Sequence, residues 1–424
     1  MRRGELLREL EQGTLPGRLV PVYGRDAPSA AYRLRELVLA YGEAFPCGDE
    51  AETLLFSTPG RTELGGNHTD HQHGHGLAAS VDLDTIACVV PNDSRTIRIK
   101  SRHHRMAVVD LGDLSLREEE AGNSVSLVRG VAARLAQLGY RAEGFDAYTT
   151  TRVLRGSGLS SSAAFEVLTA TIMNQLFCGG ALTATDLAKV GQYAENVYFG
   201  KPSGLMDQMA SSVGGLVTID FLPDDPDVRA IQYDFQKKGY AVCVVTVGGD
   251  HGDLTGEYAA ITTEMRAVSK ALGIRALAET DAEKLTAALP KLKNHVPDRG
   301  LLRAFHFVDE TARVTDAVAA LERDDVQAFF EALVASGESS WKLLQNLYVP
   351  GSDNQEMPLA LEMSRRMLAG RGAWRIHGGG FAGTILAFVP MDMLDAYRAQ
   401  MDAVFGAGAT VALSIRPEGA VVLQ

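Results

Sequence analysis

Residues 60–75, GRTELGGNHTDHQHGH, carry four of the chain's ten histidines, an aspartate and a pair of glycines. Histidines crowded beside a carboxylate suit a zinc site. The same side chains, as mixed donors and acceptors, also suit recognition of a small molecule with several hydroxyls. Local sequence leaves both readings open.

A second chemical signal is Gly156-Ser157-Gly158-Leu159-Ser160-Ser161-Ser162-Ala163-Ala164, between a strand pattern and a helical pattern. Small residues let backbone N–H groups approach an anion. The first turn of the following helix adds unpaired N–H groups and a partial positive charge. The serine hydroxyls can cap that helix or reach a magnesium ion. No Gly-Lys-Ser/Thr follows, so this is not the common P-loop. A capped Gly/Ser turn with no ligand has the same signature. Downstream stand two carboxylates, Glu195 and Asp207. Phosphoryl transfer uses one to hold magnesium and one beside the attacking hydroxyl. Taken alone, they equally suit a solvated helix residue and a helix cap. Near the end, RIHGGGFAG (375–383) has more glycine than a hairpin needs. That excess points to close backbone packing against another segment.

These residues need elements to hold them. Periodicity predicts helices over 4–41, 123–139, 164–177, 187–197, 255–272, 301–323 and 325–336. Strands are expected at 52–57, ended by Pro59-Gly60, at 77–91 as a pair, and at 96–100, 145–153, 240–247, 374–377, 384–389 and 410–415. The turn-rich acidic stretch 223–227 suggests a boundary between an N-terminal domain, 1–222, and a C-terminal domain, 223–424. Strands and helices mix in both halves, so the class is mixed α/β or α+β.

The 424 residues are 46% hydrophobic and 22% charged, enough to bury a large core without disulfides. A formal charge of −12 with no block of Lys and Arg argues against nucleic acid or an anionic membrane as partner. Cys47, Cys88, Cys178 and Cys243 form no C-x-x-C pair. The N-terminus lacks the apolar core of a secretory signal, and no apolar run approaches a membrane span. A cytoplasmic protein is expected.

In this order the motifs resemble the GHMP small-molecule kinases, and among them the galactokinases most closely. GRTELGGNHTDHQHG resembles the signature G-R-x-N-x-I/L-G-E-H-T-D-Y, and GSGLSSSAA the family's phosphate loop. AENVYFGKPSGLMDQ resembles A-E-x-x-x-x-G-x-P-C-G-I-M-D-Q. GGDHGDLTGEYAAI resembles the stretch where a family tyrosine faces the sugar, and HGGGFAGTILAFV the glycine-rich third motif. The resemblance spans roughly residues 50 to 390. It implies a two-domain fold with the active site in the cleft between the domains. It implies ATP- and Mg2+-dependent phosphorylation of the anomeric (C1) hydroxyl of galactose.

By motif position, Asp207 would be the catalytic aspartate, with Arg61 beside it. Gly156, Ser157, Gly158, Leu159, Ser160, Ser161 and Ser162 would wrap the nucleotide phosphates. Ser161 and Glu195 would bind magnesium. Asn67, His68, Asp70 and Tyr258 would bind the sugar, and Gly378, Gly379 and Gly380 would pack at the phosphate loop. Three residues depart from the pattern: Asn67 stands for Glu, His71 for Tyr and Ser203 for Cys. Asn67 is expected to alter which sugar is preferred, so a related hexose or uronic acid is an alternative substrate. A non-catalytic sugar sensor and a zinc hydrolase built on the histidine loop are the rival readings.

Overall fold

The computed structural model describes residues 1–13, 19–153, 158–248, 254–381 and 383–423. Twelve strands are described: β1 Leu54–Gly65, β2 His75–Pro91, β3 Thr96–Ser101, β4 Ala107–Asp110, β5 Phe145–Thr151, β6 Leu216–Asp220, β7 Asp227–Ile231, β8 Tyr240–Gly248, β9 Ala373–Ile376, β10 Gly383–Pro390, β11 Thr410–Leu413 and β12 Val421–Val422. The larger sheet runs β12-β1-β2-β5-β3-β4, with β6 on β2 and β7 on β6. The smaller runs β11-β8-β10-β9. Only the β3–β5 pairing is parallel among the described strands. The fold is mixed α/β, as expected. A division at 222/223 would pass through the β6–β7 hairpin, and β12 returns from the chain's far end to pair with β1.

The two sheets share one core. Leu64, Leu77 and Val81 of the first sheet meet Val242, Val244, Leu386 and Phe388 of the second, together with Phe329, Phe330 and Leu333 of the helix Val326–Ser339. Withdrawing one such side chain from water contributes about 2 kcal/mol. Elements from both halves therefore sit on a single packed base.

Pro59-Gly60 does not end β1, contrary to expectation. The strand continues to Gly65 through register shifts between Pro59 and Arg61 and between Glu63 and Gly65. A bulge accommodates a proline, which has no N–H for the ladder. The shift carries Arg61 to the serine loop, where its N–H donates to the Leu159 carbonyl at 3.0 Å. Gly60 is required there, because an added Cβ would lie 2.9 Å from that carbonyl oxygen. The expected pair of strands at 77–91 is one long strand. The helix expected over 4–41 is three: Arg3–Gln12, Leu19–Tyr23 and Ala27–Ala44. Sequence periodicity missed β4, β6, β7 and β12 and the helices Ala282–Leu292, Glu356–Leu368 and Leu394–Phe405. Among the described residues no helix is long and apolar enough to cross a membrane.

Candidate active site

The helix Ser161–Phe177 begins at Ser160, which takes a left-handed conformation with φ 57°. Gly158 just before it is also left-handed, and an added Cβ there would lie 2.6 Å from His377 Nδ1 and overlap the Thr384 hydroxyl. The two left-handed residues, with Leu159 between them, turn the chain into the helix, whose first N–H groups have no intrahelical partner. Gly156 and Ser157 lie outside the described residues.

Asp207 sits in the first turn of the helix Met206–Val213. Arg61 grips both of its oxygens, Nε to Oδ1 and Nη2 to Oδ2, each at 2.6 Å. This is the bidentate fork that makes Arg–carboxylate pairs strong and directional. The Ser160 hydroxyl donates to Oδ2, and Arg61 also donates to the Gly158 carbonyl. Burial opposes the charge on Asp207. Arg61, Ser160 and Lys201 outweigh it and hold the carboxyl below its ordinary value.

Glu195 lies in a π-helical turn, Ala194–Phe199, closed by Gly200, whose N–H returns to the Glu195 carbonyl at 3.0 Å. Such turns aim a side chain that a regular helix would misplace. Oε1 accepts from Ser162 Oγ and Lys201 Nζ, each at 3.1 Å, and Oε2 accepts from Gln208 Nε2 at 2.9 Å. Ser162, rather than Ser161, is the hydroxyl that meets Glu195. Gln208 also donates to Glu166 Oε2 at 3.0 Å. Burial first, then the nearby Glu195 charge, pushes the Glu166 carboxyl well above its usual range.

The four loop histidines diverge. The His68 ring meets the Gly379 carbonyl at 2.9 Å, His73 the Phe221 carbonyl at 2.9 Å, and His75 the Thr315 hydroxyl at 3.1 Å. Among the described residues, no group of three or more His, Cys, Asp or Glu is arranged to hold a metal ion. The cysteines are all free thiols.

Asp70 is half-buried, and its carboxylate fits only because residue 204 is glycine; a Cβ there would overlap it. Burial and the nearby Asp207 charge push the Asp70 carboxyl up to about 6. Burial holds His68 down at about 4. Tyr258 donates to the Gly380 carbonyl at 2.8 Å and stands near the His68 ring, centroid to centroid 6.3 Å.

Asn67 behaves differently from the sugar-reading residue expected. Its side-chain nitrogen donates to Glu63 Oε1 at 2.9 Å and the Gly378 carbonyl at 2.8 Å. Its side-chain oxygen accepts from Asn346 Nδ2 at 2.8 Å. Asn67 is 1% exposed. Its amide is spent on protein partners. Of the third-motif glycines, Gly378 stands near Gly158 with room for a side-chain carbon, since an added Cβ would lie 3.8 Å from the Gly158 carbonyl oxygen. Gly379 is instead fitted against the Tyr258 ring and Gly380 against the Asn346 carbonyl.

Several residues behind the site escaped the sequence reading. Arg375 is fully buried, donating to the Glu63 carbonyl at 3.0 Å and pairing with the Glu63 carboxylate at 3.1 Å. His377 joins Thr62 and Thr384. His306 meets the Asn67 carbonyl at 2.9 Å, and Glu310 accepts from the Gly66 N–H at 3.0 Å. The last two lie on a long helix, Asp298–Glu322, whose apolar periodicity gave no sign of them.

Comparison with known proteins agrees with this geometry. Residues 126–215 match the GHMP kinases N terminal domain, and residues 40–91 match the galactokinase galactose-binding signature. A galactokinase of Streptomyces coelicolor is 31% identical over 356 residues, covering 83% of this chain and 89% of that protein. The structure of Lactococcus lactis galactokinase complexed with galactose superposes with a TM-score of 0.81 at 23% identity, over 92% of this chain and 99% of that one. A mevalonate kinase of Methanococcus jannaschii shares the fold more distantly, with a TM-score of 0.60 at 14% identity, over 86% and 98%. The chain belongs to the GHMP kinase family, in which it is most like the galactokinases. It is a kinase.

Proposed function

We propose that this kinase transfers the terminal phosphoryl group of ATP, with Mg2+, to the anomeric hydroxyl of galactose. The observation that carries this reading is the shared hydrogen bonding of Asp207. Arg61 and Ser160, the latter at the mouth of the phosphate-loop helix, both bind its carboxylate. A carboxylate meant for an acceptor hydroxyl thus stands one hydrogen bond from the segment meant for the nucleotide. The names of the Streptomyces and Lactococcus relatives support galactose as the acceptor.

In this reading Asp207 accepts or steadies the proton of the C1 hydroxyl as its oxygen bonds to phosphorus and the ADP oxygen departs. Arg61 keeps Asp207 ionised and aimed. His68, Asp70 and Tyr258 hold the sugar hydroxyls, and Asn67 braces that wall from behind. Gly156 to Ser162 cradle the phosphates. The residues fit magnesium, which takes oxygen ligands: the Glu195 carboxylate lies beside the Ser162 hydroxyl, 3.1 Å from Oε1. Glu195 with Ser162 or Ser161 would hold it. When bound, Mg2+ neutralises charge on the phosphate oxygens.

A coupled ADP-release assay over a panel of hexoses and uronic acids tests the reading. Galactose with Mg-ATP is expected to give the highest kcat/KM, and no turnover of any sugar would defeat it. Asp207→Ala is expected to lower kcat by about 10²–10⁴-fold with sugar binding retained. A sugar sensor would have no turnover to lose.

A further inference from the structure

Next to Asp70 in the chain, His71 lines a different cavity, of about 450 Å³. Gln72 from the same loop, Arg266 and Lys270 from the helix Thr255–Leu272, and Arg275 just beyond it complete most of the wall. The volume lies in the range of small-molecule sites.

The charge at this cavity is unusual for its surroundings. Arg266 and Lys270 are one helical turn apart, a spacing at which like charges repel. Neither forms an ion pair with a described carboxylate. Arg275 reaches Asp224 and Glu279 only at 3.7 Å, all three well exposed. Three cations therefore converge on one hollow in a chain of net charge −12. His71 adds a second sign of a missing partner: both ring nitrogens are buried and neither has a hydrogen bond. A small rotation of that ring would offer its N–H to an oxyanion in the cavity.

We propose that this cavity is a second anion site, which takes the dianion of a phosphate monoester or of inorganic phosphate. Arg266 and Lys270, which have no ion-pair partner among the described residues, balance a doubly charged group, whereas a carboxylate would leave one of them uncompensated. The site shares no residue with the phosphate loop. Its wall is tied to the sugar loop: Gln72 is 2% exposed and its Oε1 accepts from the Leu277 N–H at 3.1 Å, directly after the cavity-lining residues 274–276. Closure of the cationic residues on an anion would pull this tie and shift the neighbouring Asp70. Occupancy would thereby change the KM for sugar.

The test uses the intact chain and the double variant Arg266→Glu/Lys270→Glu, whose changes lie on an exposed helix face. Crystals soaked in tungstate give an anomalous signal that locates the oxyanion. Calorimetric titrations with inorganic phosphate and with a hexose 1-phosphate form two separate arms, and the tighter arm names the source. Tungstate among Arg266, Lys270 and Arg275 is expected, lost in the variant, with the Kd of the tighter ligand weakened about tenfold or more. Tungstate only at the phosphate loop or at scattered surface points, or a Kd equal in both proteins, would overturn the proposal. Phosphate is further expected to shift the sugar KM in the wild type and not in the variant. The oxyanion map does not depend on turnover, so a failure of the kinase reading would be visible separately.

Discussion

Asp70 and Asp207 are two carboxylates whose surroundings push them apart. Asp207 is held ionised by Arg61, while burial and the Asp207 charge raise Asp70 to about 6. In the proposed site an ionised Asp70 can accept hydrogen bonds from sugar hydroxyls, and a protonated one loses part of that capacity. The sugar KM is therefore expected to rise as pH falls through about 6, while kcat holds until Asp207 itself protonates. Initial-rate pH profiles of both constants check this, and Asp70→Asn should flatten the KM profile. Folding stability runs the opposite way for this group. Its folded pKa is raised, so ionising it costs stability as pH climbs from about 4 to about 6. Asn67 carries a second residue-scale prediction. A glutamate at 67 would set a new carboxylate against Glu63, whose Oε1 now accepts from the Asn67 amide at 2.9 Å in a fully buried setting. Asn67→Glu is expected to cost on the order of 3 kcal/mol and to lower Tm without reordering the sugars. A changed sugar ranking at unchanged Tm would restore Asn67 to the sugar-reading set. Sequence could identify Asn67 as a departure, but not that its amide faces inward. That depends on Asn346 and Gly378, each about 300 residues away by contact order.

At the scale of elements, the serine loop was legible because a helix N-terminus after small residues has local causes. The strand, the turn and the helix from Ser161 to Phe177 all follow from neighbours in sequence. β1 was misjudged at Pro59-Gly60 because a bulge and a strand end look alike until the partner strand is known. The short strands β6, β7 and β12 were illegible for a related reason: their length leaves too few residues for a period, and pairing alone defines them. The glycine-rich third motif reads as a packing surface, and the close approach is that of Gly158 to the motif's His377 and Thr384. Gly158→Ala tests that contact. The new methyl would meet His377 and Thr384, at a φ of +69° that a Cβ strains. The loop would shift from its neighbour, and the KM for ATP is expected to rise about tenfold. Sugar affinity, measured by calorimetry without nucleotide, should stay within about twofold. Equal losses for both ligands would mean that the substitution disturbs the whole cleft.

Across the whole molecule, the sugar loop of the first half is held by the second. The Gly66 N–H donates to Glu310 Oε1, the His306 ring meets the Asn67 carbonyl, and Ser336 donates to Glu310 from yet another helix. Glu310 is 0% exposed, and burial alone would favour its neutral form. His306, Arg375 and Arg313 outweigh burial and depress its carboxyl to about 2. The ionised carboxylate therefore stabilises the fold, and removing one partner from a buried network of this kind costs on the order of 3 kcal/mol. That contribution is fully present above about 4.5 and drains away as pH falls towards about 2. Glu310→Gln removes the charge and keeps the shape. It is expected to lose about 3 kcal/mol at pH 7 in urea unfolding, with the gap to wild type narrowing below about pH 4.5. Because the same carboxylate anchors Gly66, the variant should also bind sugar more weakly at temperatures where it stays folded, with the KM for ATP little changed. A stability loss with an unaltered sugar KM would separate the two roles: Glu310 would then support the core shared by the sheets, and the sugar loop would hold its shape through Asn67 and His306.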